Sequence, residues 1–463
     1  MPYPGELASK VAHSDIIRNP DVTAFLENCA YLVPPSDEEC EAVAARFMPS
    51  PSPNGTLPSF VIAVDGSNYE SSIDDRLPST KIGYIKIGAI LIDLQQFGAL
   101  RVGKHVDPFR VAELQNNNSA LTFSVPSANI RWENQPTVRE SLRAWLDQQF
   151  YNPRTRFNAD DPTTSLRSTL FYLASRRPGG LGTDDVHRLK IHRCPQCDYG
   201  PIEVQDIPDP QSCPACGAPV YPTDCLRLWE EVQEYQSNQI VISRLMLILE
   251  HLIPFHYIRF FFKTAPLLLS GMAFFVDGPL AIFGPAAWLH RSFMIFLAEV
   301  NRKLARRNSA PLLILGLQKT GQIVDHINLI DRFVPNNRLF AIDDEYRYKY
   351  ILAGRDPANN GFGFETYYGQ DFIYKTPTGR TFVFALSYPY ASKDEPGVNF
   401  IVEKVQWENY PHLPTAIALI HSLESDLYQN AVVPIALAHR YTAISLQPGG
   451  KVLDLLTRKA LDR

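Results

Sequence analysis

Two short apolar runs, Phe60-Val-Ile-Ala-Val-Asp65-Gly and Met272-Ala-Phe-Phe-Val-Asp277-Gly, each end in an aspartate followed by glycine. Runs this short, bounded by a turn signal, suit a buried strand better than a helix. They predict two core strands, each delivering a carboxylate at its C-terminal end, where the side chain leaves the sheet while its backbone stays pinned. Further strands are expected at Ile82 to Leu94, Pro311 to Leu317, Thr381 to Ser387 and Val398 to Trp407. Helices are expected at Thr137 to Phe150, Thr163 to Arg177, Leu226 to about Leu252 and Trp288 to Arg307, with more at the C-terminus. The helix from Thr163 is closed by Arg177-Pro-Gly-Gly. Strands and helices interleaved in this way predict an α/β core with a mixed sheet.

With 463 residues the chain is long enough for a large core and at least one smaller module. The segment Met48-Pro-Ser-Pro-Ser-Pro-Asn-Gly-Thr-Leu-Pro58 opposes helix and strand alike, so residues 1–58 read as a helical lead-in and a Pro-rich linker. Residues 59–186 and 226–463 read as two parts of one core domain, with a cysteine-bearing insertion at 187–225. That insertion holds Cys194-Pro-Gln-Cys197 and Cys213-Pro-Ala-Cys216-Gly, two knuckles separated by 15 residues. Four thiolates at this spacing can surround one tetrahedral Zn²⁺ with no open position, which makes the expected metal structural. Cys29, Cys40 and Cys225 are expected to be ordinary buried thiols.

A net charge of −5 excludes a uniformly basic coat, so any nucleic-acid contact must come from local clusters such as Arg176-Arg177, Arg188 to Arg193 or Arg302 to Arg307. Beside the knuckles, Arg188, Lys190, His192 and Arg193 fit either a nucleic-acid contact or a solvated charge run. The start, Met-Pro-Tyr-Pro-Gly-Glu, lacks the basic and apolar regions of a signal peptide, so a cytoplasmic protein is expected. The most apolar stretch, Ile240 to Leu289, is interrupted by Arg244, Glu250, Arg259, Lys263 and Asp277 and reads as core, not as a membrane span.

Strand-end carboxylates are good ligands for Mg²⁺ or Mn²⁺, and two-metal phosphodiester hydrolysis needs several of them. Either Asp-Gly alone is also an ordinary turn signal. A third carboxylate is expected at Glu250, four residues after Met246 and eighteen after Val232, on the apolar face of its helix where a charge needs a partner. Glu231 and Glu234 are the alternatives. Lys319, in the turn Gln318-Lys-Thr-Gly321, can offer a cation to a phosphate or simply be a solvated lysine.

Together, Phe60 to Ser67, the Glu250 helix, Phe275-Val-Asp-Gly-Pro-Leu280, Gly316 to Gly321 and Pro434-Ile-Ala-Leu-Ala-His439-Arg resemble the NurA nuclease family in content and order, from Phe60 to the C-terminus. The resemblance implies an RNase H-like fold and a homodimeric, Mn²⁺-dependent DNA nuclease that processes DNA ends with a hexameric HerA-type ATPase, in repair or in defence against phage. It implies an active site at Asp65, Glu250, Asp277 and His439. The family places a tyrosine before the proline that precedes its histidine; here Val433 precedes Pro434, leaving Tyr428 or Tyr410 as spatial substitutes. The inserted zinc ribbon departs from compact members. A non-catalytic DNA-binding or adaptor subunit of an ATPase complex is the competing reading. An actin-like phosphotransferase is a third, for which the chain lacks a convincing Gly-rich adenosine site.

Overall fold

The two Asp-bearing runs lie side by side in the middle of a nine-stranded mixed sheet. The computed structural model describes residues 13–29, 33–52, 56–74, 76–99, 101–102, 105–106, 118–177, 180–352, 354–424, 432–444 and 449–461. In chain order the strands are β1 (Met48–Pro49), β2 (Phe60–Asp74), β3 (Leu77–Asp93), β4 (Asn118–Pro126), β5 (Met272–Asp277), β6 (Leu313–Gln318), β7 (Arg338–Ala341), β8 (Gly369–Lys375) and β9 (Thr381–Ser387). Across the sheet they run β1-β7-β8-β9-β6-β5-β2-β3-β4. Strand β5 is parallel to both its neighbours, β2 and β6, and every other pairing is antiparallel.

The helices that matter to the site are α1 (Val138–Tyr151), α2 (Leu166–Ala174), α3 (Gln239–Thr264), α4 (Leu289–Ala305), α5 (Gln322–Ile330), α6 (Leu413–Leu423), α7 (Val433–Thr442) and α8 (Gly449–Leu461). Side chains alternate across a strand, and the sheet is covered accordingly. A Cβ on Gly66 or Gly83 would meet Met246 or Ile242 of α3, whereas one on Gly88 would meet Tyr441 and Thr442 of α7. Thus α3 covers one face of the β2–β3 ribbon and α7 the other. A second, smaller core forms where the helix Asp37–Ala44 and α5 pack on β7 around Phe47, Ile327 and Phe340.

Several expectations change. Asp65-Gly66 is no turn: β2 runs on to Asp74, with Asp65 opposite Gly88 and Gly66 opposite Ile87. The glycine serves close packing, since any side chain there would strike Glu250 and Met246 at 2.8 Å. By contrast Gly278, at φ +89°, does turn the chain after β5. Helix α3 begins only at Gln239 and continues through Pro254 to Thr264; before it lie two 3₁₀ turns, Pro222–Leu226 and Leu228–Glu231, divided by Arg227 in the left-handed region, and the chain becomes extended at Val232. Long and apolar enough to cross a membrane, α3 is mostly buried in this core.

The strand expected at Val398 to Trp407 is instead a helical turn, Phe400–Glu403, and a 3₁₀ turn, Trp407–Asn409. Its buried residues are Phe400 and Lys404, spaced by a helical turn, while Ile401 and Val402 face solvent. Strands β4, β7 and β8 escape a reading based on apolar runs. In β8 the buried set includes Gln370, Asp371 and Lys375, so polar letters conceal a fully buried strand. The expected linker contributes β1, paired with Arg338 and Leu339; its residues 53–55 lie outside the described ones, as do Pro178 and Gly179 after α2. Of the three spare cysteines, Cys40 and Cys225 are buried and Cys29 only half-buried.

The segment after Asp277 crosses directly over Gly316, where a Cβ would stand 2.4 Å from the Gly278 carbonyl oxygen. Gly316→Ala is therefore expected to lower stability by about 1–3 kcal/mol, read as a loss of urea midpoint with unchanged slope. An unchanged midpoint would show that the crossing yields freely.

Candidate active site

Strands β2 and β5 pair in parallel with Val64 opposite Val276, so the next residues, Asp65 and Asp277, stand at the same level on adjacent strands. Equal register means the same face, and their carboxyl groups are hydrogen-bonded to each other. Strand β6 brings the third member. Its register sets Leu317 beside Asp277, and two residues on Lys319 turns back over the pair, its Nζ 2.7 Å from Asp277 Oδ2 and 3.5 Å from Asp65 Oδ1.

Helix α7 closes the site from its side of the sheet. His439 Nδ1 lies 3.5 Å from Asp65 Oδ1, with the ring half-exposed. One turn later the Thr442 hydroxyl donates to the other Asp65 oxygen, Oδ2. Thr442 is a member that motif reading missed. Its signal was present, since His439 and Thr442 are three residues apart and share a helix face. The Asp65, Asp277 and His439 donor atoms all lie within 4.8 Å of one another, a grouping suited to a metal ion.

Glu250 approaches from the opposite face on α3. It is 3% exposed and accepts a 2.6 Å hydrogen bond from the Gly66 backbone N–H. It thus stands one residue from Asp65 but outside the three-residue grouping. Its expected place rested partly on Val232, which is not in the helix; Met246, which packs with Glu250 on Gly66, is the neighbour that holds. The alternatives are engaged elsewhere: Glu231 pairs with Arg244, and Glu234 accepts the amides of Val138 and Arg139 at the start of α1. The Tyr410 hydroxyl is spent inside the core on the Lys404 carbonyl, and Tyr428 lies outside the described residues.

Electrostatics separate the acids. Burial pushes Glu250 well above the usual carboxylate range, and the Asp65 and Asp277 charges add to it. Burial also lifts Asp277, to about 6, against the attraction of Lys319. Asp65 is desolvated too, yet hydrogen bonds from His439, Asp277 and Thr442 and the Lys319 charge outweigh that and hold it low. His439 is raised by its bond to Asp65. The result is a cluster with more negative groups than one lysine can neutralise, a condition a divalent cation relieves. Oxygen donors with one imidazole suit Mn²⁺ or Mg²⁺.

Beside Asp277 a groove of about 390 Å³ opens between α3 and the loop that follows β5, lined by Ile240, Leu247, Ile248 and Phe283 with Ser243 and Arg244.

The cysteine island lies between α2 and α3 and carries four short strands, Arg188–Ile191, Ile202–Gln205, Gln211–Ser212 and Pro219–Val220, in two hairpins. Cys194, Cys197, Cys213 and Cys216 converge, with Sγ atoms 3.8 Å apart in the pairs Cys194–Cys216 and Cys197–Cys213. That is far beyond a disulfide and equals the edge of a tetrahedron with Zn–S of about 2.3 Å. The two knuckles match: Cys194 and Cys213 each accept an amide from four residues on, and Asp198 and Gly217 both take positive φ. Arg188 pairs with Glu203, and Arg193 with Asp198 and Glu230, so these two arginines are engaged locally.

A family model of the NurA domain matches residues 60–425, most of the chain, including Asp65 and Asp277. The chain belongs to the NurA family. Among solved structures, the NurA nuclease from Sulfolobus solfataricus is 8% identical with a TM-score of 0.36, each chain covered to 98%. A second NurA crystal structure is 13% identical with a TM-score of 0.25, covering 98% of this chain and 95% of its own. At those scores the sequence family, not the superposition, carries the assignment. No curated protein matches. Within this NurA chain, Glu250, His439 and Lys319 sit around the two aspartates, although His439 lies beyond the matched span.

The raised Asp277 makes a prediction for protein without added divalent ions. A carboxyl whose folded pKa is raised binds its proton more tightly when folded, so stability falls as pH rises from about 4 through 6. Asp277→Asn removes that cost. It should raise stability by about 2 kcal/mol at pH 8 and by much less at pH 4, measured by calorimetry; equal effects at both pH values would refute the assignment.

Proposed function

We propose that the chain is a divalent-metal-dependent DNA nuclease, and the observation that carries this is the Asp65–Asp277 pair on adjacent parallel strands, with His439 and Lys319 against it, in a NurA-family chain. The RNase H-like reading draws support from the sheet itself, where the antiparallel β2-β3-β4 ribbon lies beside β5 and β6, both parallel to β2.

Asp65, Asp277 and His439 would hold the Mn²⁺ or Mg²⁺, with Glu250 available from the other face. Bound there, the ion supplies a lowered pKa for water and neutralisation of charge developing on the phosphate. The protein's own groups then divide the remaining work. Thr442 and the sheet hold Asp65 in one orientation. His439, half-exposed on α7, closes that donor set from the solvent side. Lys319 holds the aspartates together in the metal-free site, and its ammonium can turn to a phosphate oxygen once those charges are otherwise met. The apolar groove lined by Phe283 and Ile248 borders Asp277 and would offer a surface to a base of the substrate.

We further infer a structural zinc in the four-cysteine island, a homodimer, a cytoplasmic setting, and work at DNA ends beside a HerA-type ATPase in repair or phage defence. The matching knuckles support the zinc, and the family resemblance supports the partnership.

Two experiments test this. With Mn²⁺, the wild type should degrade linear DNA, and Asp65→Asn should lose at least about 100-fold in rate while melting like the wild type; a variant that cuts normally refutes the site. Cys194→Ser should abolish one equivalent of zinc measured by plasma mass spectrometry and lower the melting temperature. Full zinc content in that variant would refute the ribbon.

A further inference from the structure

The Arg176-Arg177 pair singled out in the sequence has no part in the cluster at Asp65. It lines a separate cavity of about 470 Å³ between the end of α2, the first turns of α4 and the loop after β9. Four basic residues border this cavity, Arg176, Arg177, Arg291 and Lys393, together with the hydroxyl-bearing Ser392, and among the described residues no carboxylate lines it. Their engagements differ. Arg176 pairs with Glu299 at 2.8 Å and stacks on Tyr172. The Lys393 amine is held by the carbonyls of Gly363, Phe364 and Tyr367, and burial lowers its pKa to about 7, so it is only partly charged at neutral pH. Arg291 has only long, exposed pairings, 3.4 Å to Glu365 and 3.7 Å to Asp394.

Arg177 is the exception. Its guanidinium is half-buried and, among the described residues, makes no hydrogen bond and no ion pair. Burial and the neighbouring Arg291 charge both act to lower its pKa, with Glu365 opposing weakly. Two guanidinium groups facing one cavity without an anion between them repel, and folding does not need that arrangement. Arginine's planar fork is the side chain best matched to a phosphate.

We propose that this cavity binds a phosphate group, gripped by Arg177 and Arg291. The phosphate is either a backbone phosphate of bound DNA, which rests on the nuclease reading, or a free phosphate ligand, which does not. An acidic chain that binds DNA needs such local cationic sites, and this one is built from three separate elements.

The test uses the full chain carrying Asp65→Asn, so that binding is read without cleavage. Arg177→Gln and Arg291→Gln are compared with the parent and with Arg177→Lys. In phosphate-free buffer Arg177→Gln should melt at or above the parent, because a repulsion is removed; a structural arginine would give the opposite. Inorganic phosphate should raise the parent's melting temperature, and Arg177→Gln should erase that rise. If the phosphate belongs to DNA, Arg177→Gln also weakens a single-stranded oligonucleotide about 3- to 10-fold and reduces the salt slope by about one phosphate, with Arg177→Lys in between. Loss of the inorganic phosphate effect with unchanged oligonucleotide binding assigns a free phosphate ligand. Unchanged response to both, or a lowered melting temperature in phosphate-free buffer, overturns the proposal. Should the parent bind phosphate but no DNA, and the wild-type chain cut none with Mn²⁺, the nuclease reading fails while the cavity stands.

Discussion

The parallel pairing of β2 with β5 governs the rest of the site. With Val64 beside Val276, two aspartates must emerge at one level on one face after the buried apolar runs Val61 to Val64 and Ala273 to Val276. Contact between their like charges is unfavourable in a buried setting. The structure offsets it by lifting the Asp277 pKa, by laying Lys319 across both groups, and by giving Asp65 a threonine and a histidine. Each of these devices arrives from a different element. The strand pairing therefore dictates where β6 must end and where α7 must pack.

Close approach is the second constraint. Glu250 reaches the backbone of β2 only because position 66 has no side chain, and the loop that follows Asp277 can cross β6 only because position 316 has none. Both glycines act through space and not through their φ angles. Pro254, four residues after Glu250, adds to the local pattern, since it cannot donate the helical hydrogen bond to the Glu250 carbonyl. A buried acid whose charge is disfavoured, held by one amide beside two other acids, is a group ready to respond to a cation.

The cysteine island shows how an insertion is tied to its host. Leu189, Ile191, Val204, Val220 and the thiol residues Cys194 and Cys213 belong to the same apolar core as the sheet and α3. Buried ion pairs reinforce the junction: Arg143 of α1 binds Asp224, and Arg167 of α2 binds Asp147 and Asp206. The knuckles thus stand on a surface prepared by α1 and α2, and the island's outer face, with Arg188 and Arg193 already paired, is left to other contacts.

Much of this was readable in the chain. Alternation and short apolar runs located β2, β5, β6 and β9, and knuckle spacing located the four cysteines before any geometry was known. Strand β8 stayed hidden because Asp371 is paired with Arg347 and accepts a hydrogen bond from Gln318, residues remote in sequence. Thr442 was overlooked because a hydroxyl's role depends on what faces it. What the sequence by itself determined is local: which segments are buried, which chemical groups they carry, and that two apolar runs each lead into an acid. Only the tertiary structure decided that those acids share one register, that Lys319 spans them, that Glu250 comes from the opposite face, and that Arg177 makes no ion pair among the described residues. The reason is physical: periodicity is a property of neighbours along the chain, whereas charge pairing and close packing depend on which distant groups the fold brings within a few ångströms.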